Sequence, residues 1–329
     1  MKNDFSYYLQ KFLTVYLPKE RGSSSNTIDT YRYTFILFLD FLKTKNIKAY
    51  KLTISDINRS LVNEFLSWLE TSRKNSIQTR NARLATIQSF MRFLQYEYPD
   101  YLNQYKEILN IPIKEHIKTS IGYLMVEEVK GIINTTSKET SKGYRDYLMI
   151  YLLYETGVRV SELINIKVYD FHYSKPYYLK VVGKGNKERT IPLVEESINV
   201  VNEYINNSEL RFKAFDHLLF YNSRKTRLTR QGVTSIIKKY IDKAGITRIT
   251  VTPHIFRHSK AMHLLQSDVN LVYIRDFLGH TSIQTTEVYA RADSDKKRKA
   301  IEGAYKNIYP KEKPEWENND ILSWLKSFE

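Results

Sequence analysis

Cysteine is absent from this chain of 329 residues, and its absence removes several classes of chemistry at once. Disulfides, thiolate zinc sites and cysteine nucleophiles are all excluded. Long apolar runs are missing too, since no stretch approaches the roughly 20 residues that span a bilayer. The opening segment, MKNDFSYYLQKF, lacks the basic and then apolar layout of a secretory signal. We therefore expect a cytosolic protein without a membrane partner.

Acidic residues are scarce relative to basic ones. Lys and Arg number 51 against 36 Asp and Glu, which gives a formal net charge of +15. An excess of this size indicates a polyanionic partner, with nucleic acid ahead of an acidic membrane surface. Charge alone does not separate these two partners, and basic residues also serve solubility. A length of 329 residues suits two domains better than one small core.

The first hundred residues have the apolar spacing of helices. Apolar side chains recur at helical intervals over Phe5–Tyr16, Ile28–Leu42, Leu61–Leu69 and Leu84–Leu94. We interpret 1–105 as a helical domain with basic side chains on its outer faces. The candidate DNA contacts among them are Arg73, Lys74, Arg80 and Arg83. Such a bundle can clamp a duplex or dock another protein, and this half of the chain does not decide between them.

Prolines and lysines interrupt the helical pattern after Tyr98, and we interpret 106–121 as a linker to a second domain at 122–309. Two short strands, Tyr177–Val182 and Glu188–Pro192, are predicted there, joined by a glycine-rich hairpin turn and flanked by helices. The predicted fold is therefore mainly α-helical with a small β-sheet, a helical domain followed by an α+β domain. Beyond it, the apolar spacing of the C-terminal tail predicts a further amphipathic helix.

Six polar residues of the second half supply groups suited to phosphate chemistry: Arg159, Lys184, His254, Arg257, His280 and Tyr289. Guanidiniums grip a phosphate, an ammonium and imidazoles move or anchor protons, and a phenol can attack phosphorus. The set needs no metal. Taken singly, each residue has an ordinary structural explanation.

Arg159 falls where one predicted helix ends and another begins, so its guanidinium can face a phosphate. Glu162 is placed to orient this arginine or a nearby histidine, although a surface arginine paired with a helix-start glutamate has the same pattern. Lys184 occupies the hairpin tip, and Lys187 and Arg189 further along are candidate grips for backbone phosphates. A charged hairpin tip is otherwise simply solvated.

His254 and Arg257 are three residues apart, so they share a face at the start of a predicted helix, where free amide groups favour phosphate. The competing interpretation is a metal site, because His254 and His258 form an H-x-x-x-H pair. The residue after His254 is Ile255, however, where a zinc protease needs glutamate. We therefore predict no metal.

The order and surroundings of the six residues resemble one family. The segments TGVRVSEL, GKGNKERTIPL, TPHIFRHS and LGHTSIQTTEVYAR resemble the tyrosine recombinases, which include the lambda-type integrases and the Xer-like recombinases. The resemblance covers most of 123–292, and more loosely the N-terminal helices, which are similar to the family's core-binding domain. RHSKAMHLL and NLVYIRDFLGH are similar to recombinases of transposons and other mobile elements.

The resemblance implies a site-specific recombinase or integrase that cuts and rejoins DNA through a 3′-phosphotyrosine. In that scheme Tyr289 is the nucleophile, Arg159 and Arg257 stabilise the non-bridging oxygens, and His280 donates a further hydrogen bond. It also implies that the catalytic domain is 122–309.

The same scheme assigns the protons and the partners. Lys184 protonates the leaving 5′ oxygen, and His254 assists with the nucleophile's proton. No cofactor is expected, neither ATP nor metal. The partners implied are double-stranded DNA with specific sites and three further copies of the chain, with 310–329 docking on a neighbour. Accessory proteins leave no signature in the sequence.

Two other functions fit parts of the pattern. A type IB topoisomerase uses similar chemistry to relax a single duplex, and a DNA-binding protein without catalysis would share the basic charge. The N-terminal helices and the tail favour recombination over relaxation. The complete set of six residues favours an enzyme over a silent binder.

Overall fold

A computed structural model describes residues 4–115, 122–208, 210, 217–280 and 286, with the backbone alone at 184. The chain divides into two compact units, Met1–Thr119 and Ser120–Glu329. The described residues are mostly helical, with one three-stranded sheet in the second unit. The predicted fold class is confirmed. No helix among these residues is long and apolar enough to cross a membrane.

The described part of the N-terminal unit forms five α-helices: α1 (Asp4–Lys11), α2 (Ser25–Thr44), α3 (Arg59–Thr71), α4 (Ile77–Glu97) and α5 (Leu102–Leu109). A π-helical segment, Phe12–Glu20, continues α1. Side-chain caps fix where the three longest helices begin, since Ser24, Asn58 and Ser76 each accept a backbone N–H from the first turn.

Aromatic rings fill the interior of this unit. Phe12 is fully buried, and its ring centroid lies 5.2 Å from that of Phe90 and 5.4 Å from that of Phe93. Tyr105 and Ile108 of α5 belong to the same core, as does Ile111. The unit therefore extends beyond residue 105, where we had placed the start of the linker. The prolines that suggested a linker flank a short helix that is itself packed.

The described part of the second unit begins with three helices, α6 (Val126–Asn134), α7 (Ser141–Glu155) and α8 (Val160–Leu163). Three strands follow, β1 (Phe171–His172), β2 (Tyr178–Val182) and β3 (Glu188–Pro192). Four more helices come next: α9 (Glu195–Asn206), α10 (Arg230–Lys243), α11 (Pro253–Gln266) and α12 (Leu271–Leu278).

The strands form an antiparallel sheet in the order β1-β2-β3, with Leu179 opposite both Phe171 and Ile191. β1 was not predicted, because two residues are too few to show an alternating pattern. The inward side chains of the sheet join the core around α7. A smaller apolar cluster packs Met262 and Leu265 of α11 against Ile274 and Leu278 of α12, and so fixes α12 on α11.

Candidate active site

The carboxyl end of α12 is the point on which several predicted site residues converge. Gly279 ends the helix in the left-handed conformation, with φ 65° and ψ 47°. The N–H groups of Gly279 and His280 return to the carbonyls of Asp276 and Arg275, respectively. The last carbonyls of a helix have no partner within it and carry the negative end of its dipole. This end of α12 therefore favours cationic groups.

Three arginines from different parts of the unit donate to three consecutive carbonyls there. The donors and acceptors, with their N–O distances, are Arg189 and Phe277 at 3.3 Å, Arg257 and Leu278 at 2.7 Å, and Arg159 and Gly279 at 3.2 Å. Residues on β3, on α11 and before α8 thereby meet at one helix end. The dipole of α12 stabilises their positive charges.

Glu162 bridges two of these arginines. Its Oε1 accepts from Nη1 of Arg159 at 2.8 Å and from Nη1 of Arg189 at 2.9 Å. Its Oε2 accepts from the backbone N–H of Arg159 at 2.8 Å and from Nη2 of Arg189 at 2.9 Å. Burial alone raises the pKa of this carboxyl, but Arg189 and then Arg159 bring it below its ordinary value. Glu162 is therefore an anion at neutral pH that holds both guanidiniums.

Arg257 is buried and connects α12 to the turn that precedes Arg159. Besides its bond to Leu278, its Nη1 donates to the carbonyl of Gly157 at 2.6 Å. Gly157 has φ 58°, and a Cβ there would lie 3.0 Å from Cδ2 of Leu278. Only glycine therefore suits this turn, which is both left-handed and pressed against α12.

His280 lies directly after the arginine-bonded end of α12. Its Nδ1 is 2.9 Å from Oγ1 of Thr286, whose side chain is buried. Burial, followed by the charges of Arg257, Arg159 and Arg189, lowers the pKa of this imidazole to about 4. The ring is therefore neutral at physiological pH, with one N–H donor and one acceptor.

The other predicted catalytic residues are His254, Lys184 and Tyr289. His254 is exposed in the first turn of α11, three residues before Arg257. Lys184 begins the turn between β2 and β3, and a Cβ on the preceding Gly183 would lie 3.3 Å from Oε1 of Glu162. The hairpin backbone that carries Lys184 therefore starts beside the carboxylate. Tyr289 lies outside the described residues, as does 310–329.

Two of the predicted DNA contacts face inward, contrary to the sequence-based expectation. Arg80 is 6% exposed, and its Nη1 donates to the carbonyl of Pro112 at 3.3 Å. The Arg189 side chain is 12% exposed and bound to Glu162. For both residues the local sequence pattern indicates the inward direction of the side chain. Arg80 falls in the buried stripe of α4 with Leu84, and Arg189 lies on the same face of β3 as the buried Ile191, two residues further on.

The remaining predicted DNA contacts keep more of their surface. Arg73, Lys74 and Lys187 are exposed. Arg83 is half-buried, because its Nη1 donates to Oγ1 of Thr34 at 3.1 Å. The three exposed side chains are therefore better candidates for contacts with backbone phosphates than Arg83 is.

The H-x-x-x-H pair on α11 is divided between surface and interior. His254 is exposed, whereas His258 is buried, with its ring centroid 6.4 Å from that of Tyr123. Within the described ranges, no group of three or more His, Asp or Glu side chains is placed to hold a metal ion.

Comparisons with known proteins cover both units. The model of the phage integrase family matches residues 122–296, and that of the phage integrase N-terminal SAM-like domain matches residues 9–98. The putative integrase/recombinase y4rC of Sinorhizobium fredii is 31% identical over 299 residues, 89% of this chain and 89% of that protein. The tyrosine recombinase XerD of Staphylococcus haemolyticus is 35% identical over 294 residues, 89% of this chain and 95% of that protein.

Solved structures give a matching result. The XerH site-specific recombinase, bound to its difH substrate in a pre-cleavage complex, superimposes with a TM-score of 0.66 at 25% sequence identity. The match covers 82% of this chain and 78% of that one. Likeness in sequence and in fold thus spans both compact units.

Proposed function

Because the chain belongs to the phage integrase family and is a tyrosine-type site-specific recombinase, we propose that it cuts and rejoins DNA through a covalent bond between Tyr289 and a 3′ phosphate. The observation that carries this proposal is the charge balance at the carboxyl end of α12. Three guanidiniums converge there, one carboxylate pairs with two of them, and the adjacent imidazole is neutral. Such a site favours an anionic phosphodiester and the extra negative charge of its transition state.

The proposed cleavage step is an in-line displacement at phosphorus. The phenol oxygen of Tyr289 forms a bond to phosphorus as the bond to the 5′ oxygen breaks, and the leaving oxygen takes a proton from Lys184. His254 accepts the proton of the phenol. One phosphodiester is exchanged for another, so the step needs no energy source. A free 5′ hydroxyl from a second strand reverses it and completes the joining.

Three side chains stabilise the phosphate during that step. Arg159 and Arg257 donate to the non-bridging oxygens, and the Arg159 side chain, 30% exposed, is the more accessible of the two. His280 adds a neutral donor. His280 Nδ1 lies 2.9 Å from Oγ1 of Thr286, and in the proposed tautomer Nδ1 accepts from that hydroxyl, so Nε2 carries the proton that is donated to the phosphate.

We propose that four protomers act together on two duplexes, because an exchange between two sites requires each duplex to be cut in both strands. The apolar spacing of Ile321, Leu322, Leu325 and Phe328 supports a tail helix that docks on a neighbouring protomer. A chain that ends at Pro310 should fold and bind DNA as a monomer without assembling further, as measured by sedimentation. Assembly equal to that of the full chain would contradict the docking.

We also propose that the exchanged DNA belongs to a mobile element. The support is the likeness of RHSKAMHLL and NLVYIRDFLGH to element-encoded recombinases. Sequencing the products joined in cells that carry the gene with its flanking DNA tests this. Products that join element ends are expected, and products confined to resolved chromosome dimers would contradict it.

The experiment for the reaction uses a pool of nicked duplexes whose sequence is randomised around the nick. Cleavage beside a nick releases a short fragment, so the covalent intermediate accumulates. The wild-type chain should give a protein–DNA adduct that survives denaturation, and Tyr289→Phe should give none. An adduct that persists in Tyr289→Phe would overturn the assignment. Relaxation of a supercoiled plasmid without recombinant products would indicate a topoisomerase instead.

A further inference from the structure

We propose that Arg189 is a positioning residue of this site, which holds Glu162 and, through it, Arg159 in the geometry that DNA cleavage needs. The inference rests on the proposed function and adds a residue to it. Arg189 does not touch the phosphate in this account. It acts through the side chains that do.

All three donor groups of the Arg189 guanidinium point to the interior of the site. Nη1 and Nη2 donate to the two oxygens of Glu162, both at 2.9 Å, and Nε donates to the carbonyl of Phe277 at 3.3 Å. A planar guanidinium is the side-chain group that presents two parallel donors to a carboxylate and keeps a third for another acceptor. Lysine, with a single nitrogen, cannot reproduce this arrangement.

Arg189 also packs on the backbone that precedes His280. A Cβ built on Gly279 would lie 2.7 Å from Cδ and 3.0 Å from Nε of Arg189. The carbonyl of Gly279 is the acceptor for Arg159. Arg159 donates to Glu162 and to the carbonyl of Gly279, and Arg189 holds both of these acceptors in place. Loss of the Arg189 side chain should therefore weaken both contacts of Arg159 and loosen the segment that carries His280.

The hairpin with Lys184 begins at the same place. A Cβ on Gly183 would lie 3.3 Å from Oε1 of Glu162 and 3.6 Å from Nη1 of Arg189. Arg189 thus contacts the start of α8 through Glu162, the end of α12 and the start of the hairpin turn. These are the three segments that bear Arg159, His280 and Lys184.

Burial separates this role from a DNA contact. The Arg189 side chain is 12% exposed and its donors are engaged, whereas Lys187, two residues earlier on the same hairpin, is exposed. Lys187 is therefore the matched comparison for a phosphate contact. Substitution of Arg189 should lower the rate of the chemical step, and substitution of Lys187 should lower DNA affinity.

The first test needs no DNA and follows the carboxyl carbon of Glu162 by ¹³C NMR, assigned with Glu162→Gln. The charged groups that face this carboxyl are the guanidiniums of Arg189 and Arg159. Arg189→Met removes two donors from the buried carboxylate of Glu162, so the midpoint of the Glu162 titration should move to higher pH. An unchanged midpoint would overturn the positioning role.

The second test measures single-turnover formation of the covalent adduct on a nicked duplex recovered from the randomised pool. Arg189→Met should slow adduct formation on the order of 10²-fold at saturating DNA, the penalty of a misplaced reacting group, with little change in affinity. Arg189→Lys should recover part of the rate, because it restores charge and one donor.

Arg145→Met is the structural control. Its guanidinium is also 12% exposed, is paired with the buried Asp146, and donates to the carbonyl of Tyr221 at 3.0 Å. Arg145→Met should lower the melting temperature about as much as Arg189→Met does, without slowing cleavage. An equal rate loss in Arg145→Met and Arg189→Met, or a parallel loss of affinity in Arg189→Met, would overturn the proposal. If the wild type forms no adduct, the proposed function fails, and the carboxyl titration still decides the role of Arg189.

Discussion

The two units of this protein bury different kinds of side chain. The N-terminal unit is packed with phenylalanine rings, and its buried members are Phe5, Phe12, Phe35, Phe38, Phe41, Phe65, Phe90 and Phe93. The core of the second unit is mainly aliphatic, and at the end of α12 the unit also buries Glu162 and Arg257. Apolar burial stabilises a fold, whereas buried charge is costly unless it is paired. The first interior is therefore built for stability, and this part of the second is built to receive an anion.

The comparison predicts that substitutions in the two interiors fail in different ways. In the N-terminal unit the effect should appear in the free energy of unfolding. At the end of α12 it should appear mainly in the rate of DNA cleavage.

The largest effect is expected in the aromatic core. Phe90 is fully buried, with ring centroids of Phe12 and Phe35 both at 5.2 Å. Phe90→Ala should lower the free energy of unfolding by about 3–5 kcal/mol, because the cavity adds to the lost transfer energy. Urea denaturation followed by circular dichroism measures this. Tyr96→Ala on the same helix, where the side chain is 89% exposed, should change it by less than about 0.5 kcal/mol. Similar losses in the two variants would contradict the picture of the core.

The next effect separates rate from stability. Arg159→Gln removes a donor aimed at the transition-state charge, so cleavage should fall by about 10²–10³-fold. Its ion pair is partly exposed, so the loss of stability should be only about 1 kcal/mol. Adduct formation and thermal unfolding give the two quantities. Arg227→Gln, whose guanidinium donates to Asn165 on the surface, is the control and should leave the rate unchanged. If the unfolded fraction of Arg159→Gln accounted for its whole loss of cleavage rate, the contrast between the two interiors would be wrong.

A smaller effect is the pH dependence of stability that His280 produces. Its pKa falls from an ordinary 6.5 to about 4, so the unfolded chain binds a proton that the folded chain does not between these values. Stability present above pH 6.5 is therefore lost as the pH falls toward 4. His280→Gln should flatten the change in melting temperature over that window. After allowance for partial exposure, the contribution is on the order of 1 kcal/mol. The same substitution at the exposed His217 is the control, and equal slopes in wild type and His280→Gln would contradict the assignment.

The smallest effect concerns the surface of the N-terminal unit. If Arg73 and Lys74 each contact a phosphate, replacing both with Gln should reduce the slope of log affinity against log salt by about 0.9 per contact. Arg80→Met should leave that slope unchanged and lower stability instead, because Arg80 is buried beside Glu70. Fluorescence anisotropy over a range of salt concentrations distinguishes these outcomes. A lower slope in Arg80→Met would contradict its inward orientation.

The sequence predicted the elements well where periodicity was long. The strand Glu188–Pro192 has the predicted bounds, and the strand before it begins at Tyr178, one residue later than predicted. The sequence alone does not fix the first residue of α2, because Ser24, Ser25 and Asn26 are adjacent residues of N-cap type, and in the structure Ser24 is the cap. Short elements such as β1 and α5 were missed, since they have too few residues to display a period.

The site was only partly predictable, for a physical reason. Composition shows that a residue is charged, but its direction depends on its neighbours. Arg80 shares the buried stripe of α4, and Arg189 shares a strand face with the buried Ile191, so local patterns held that information. The meeting of Arg159 with Gly279, 120 residues apart, depends on tertiary packing that no local pattern contains.

The most direct test of the central claim identifies the residue that becomes linked to DNA. The adduct formed on the nicked duplex would be digested with protease and nuclease, and the modified peptide sequenced by mass spectrometry. We predict a nucleotide 3′-phosphate on the phenol oxygen of Tyr289. A nucleotide on any other side chain, or attached through its 5′ phosphate, would contradict it.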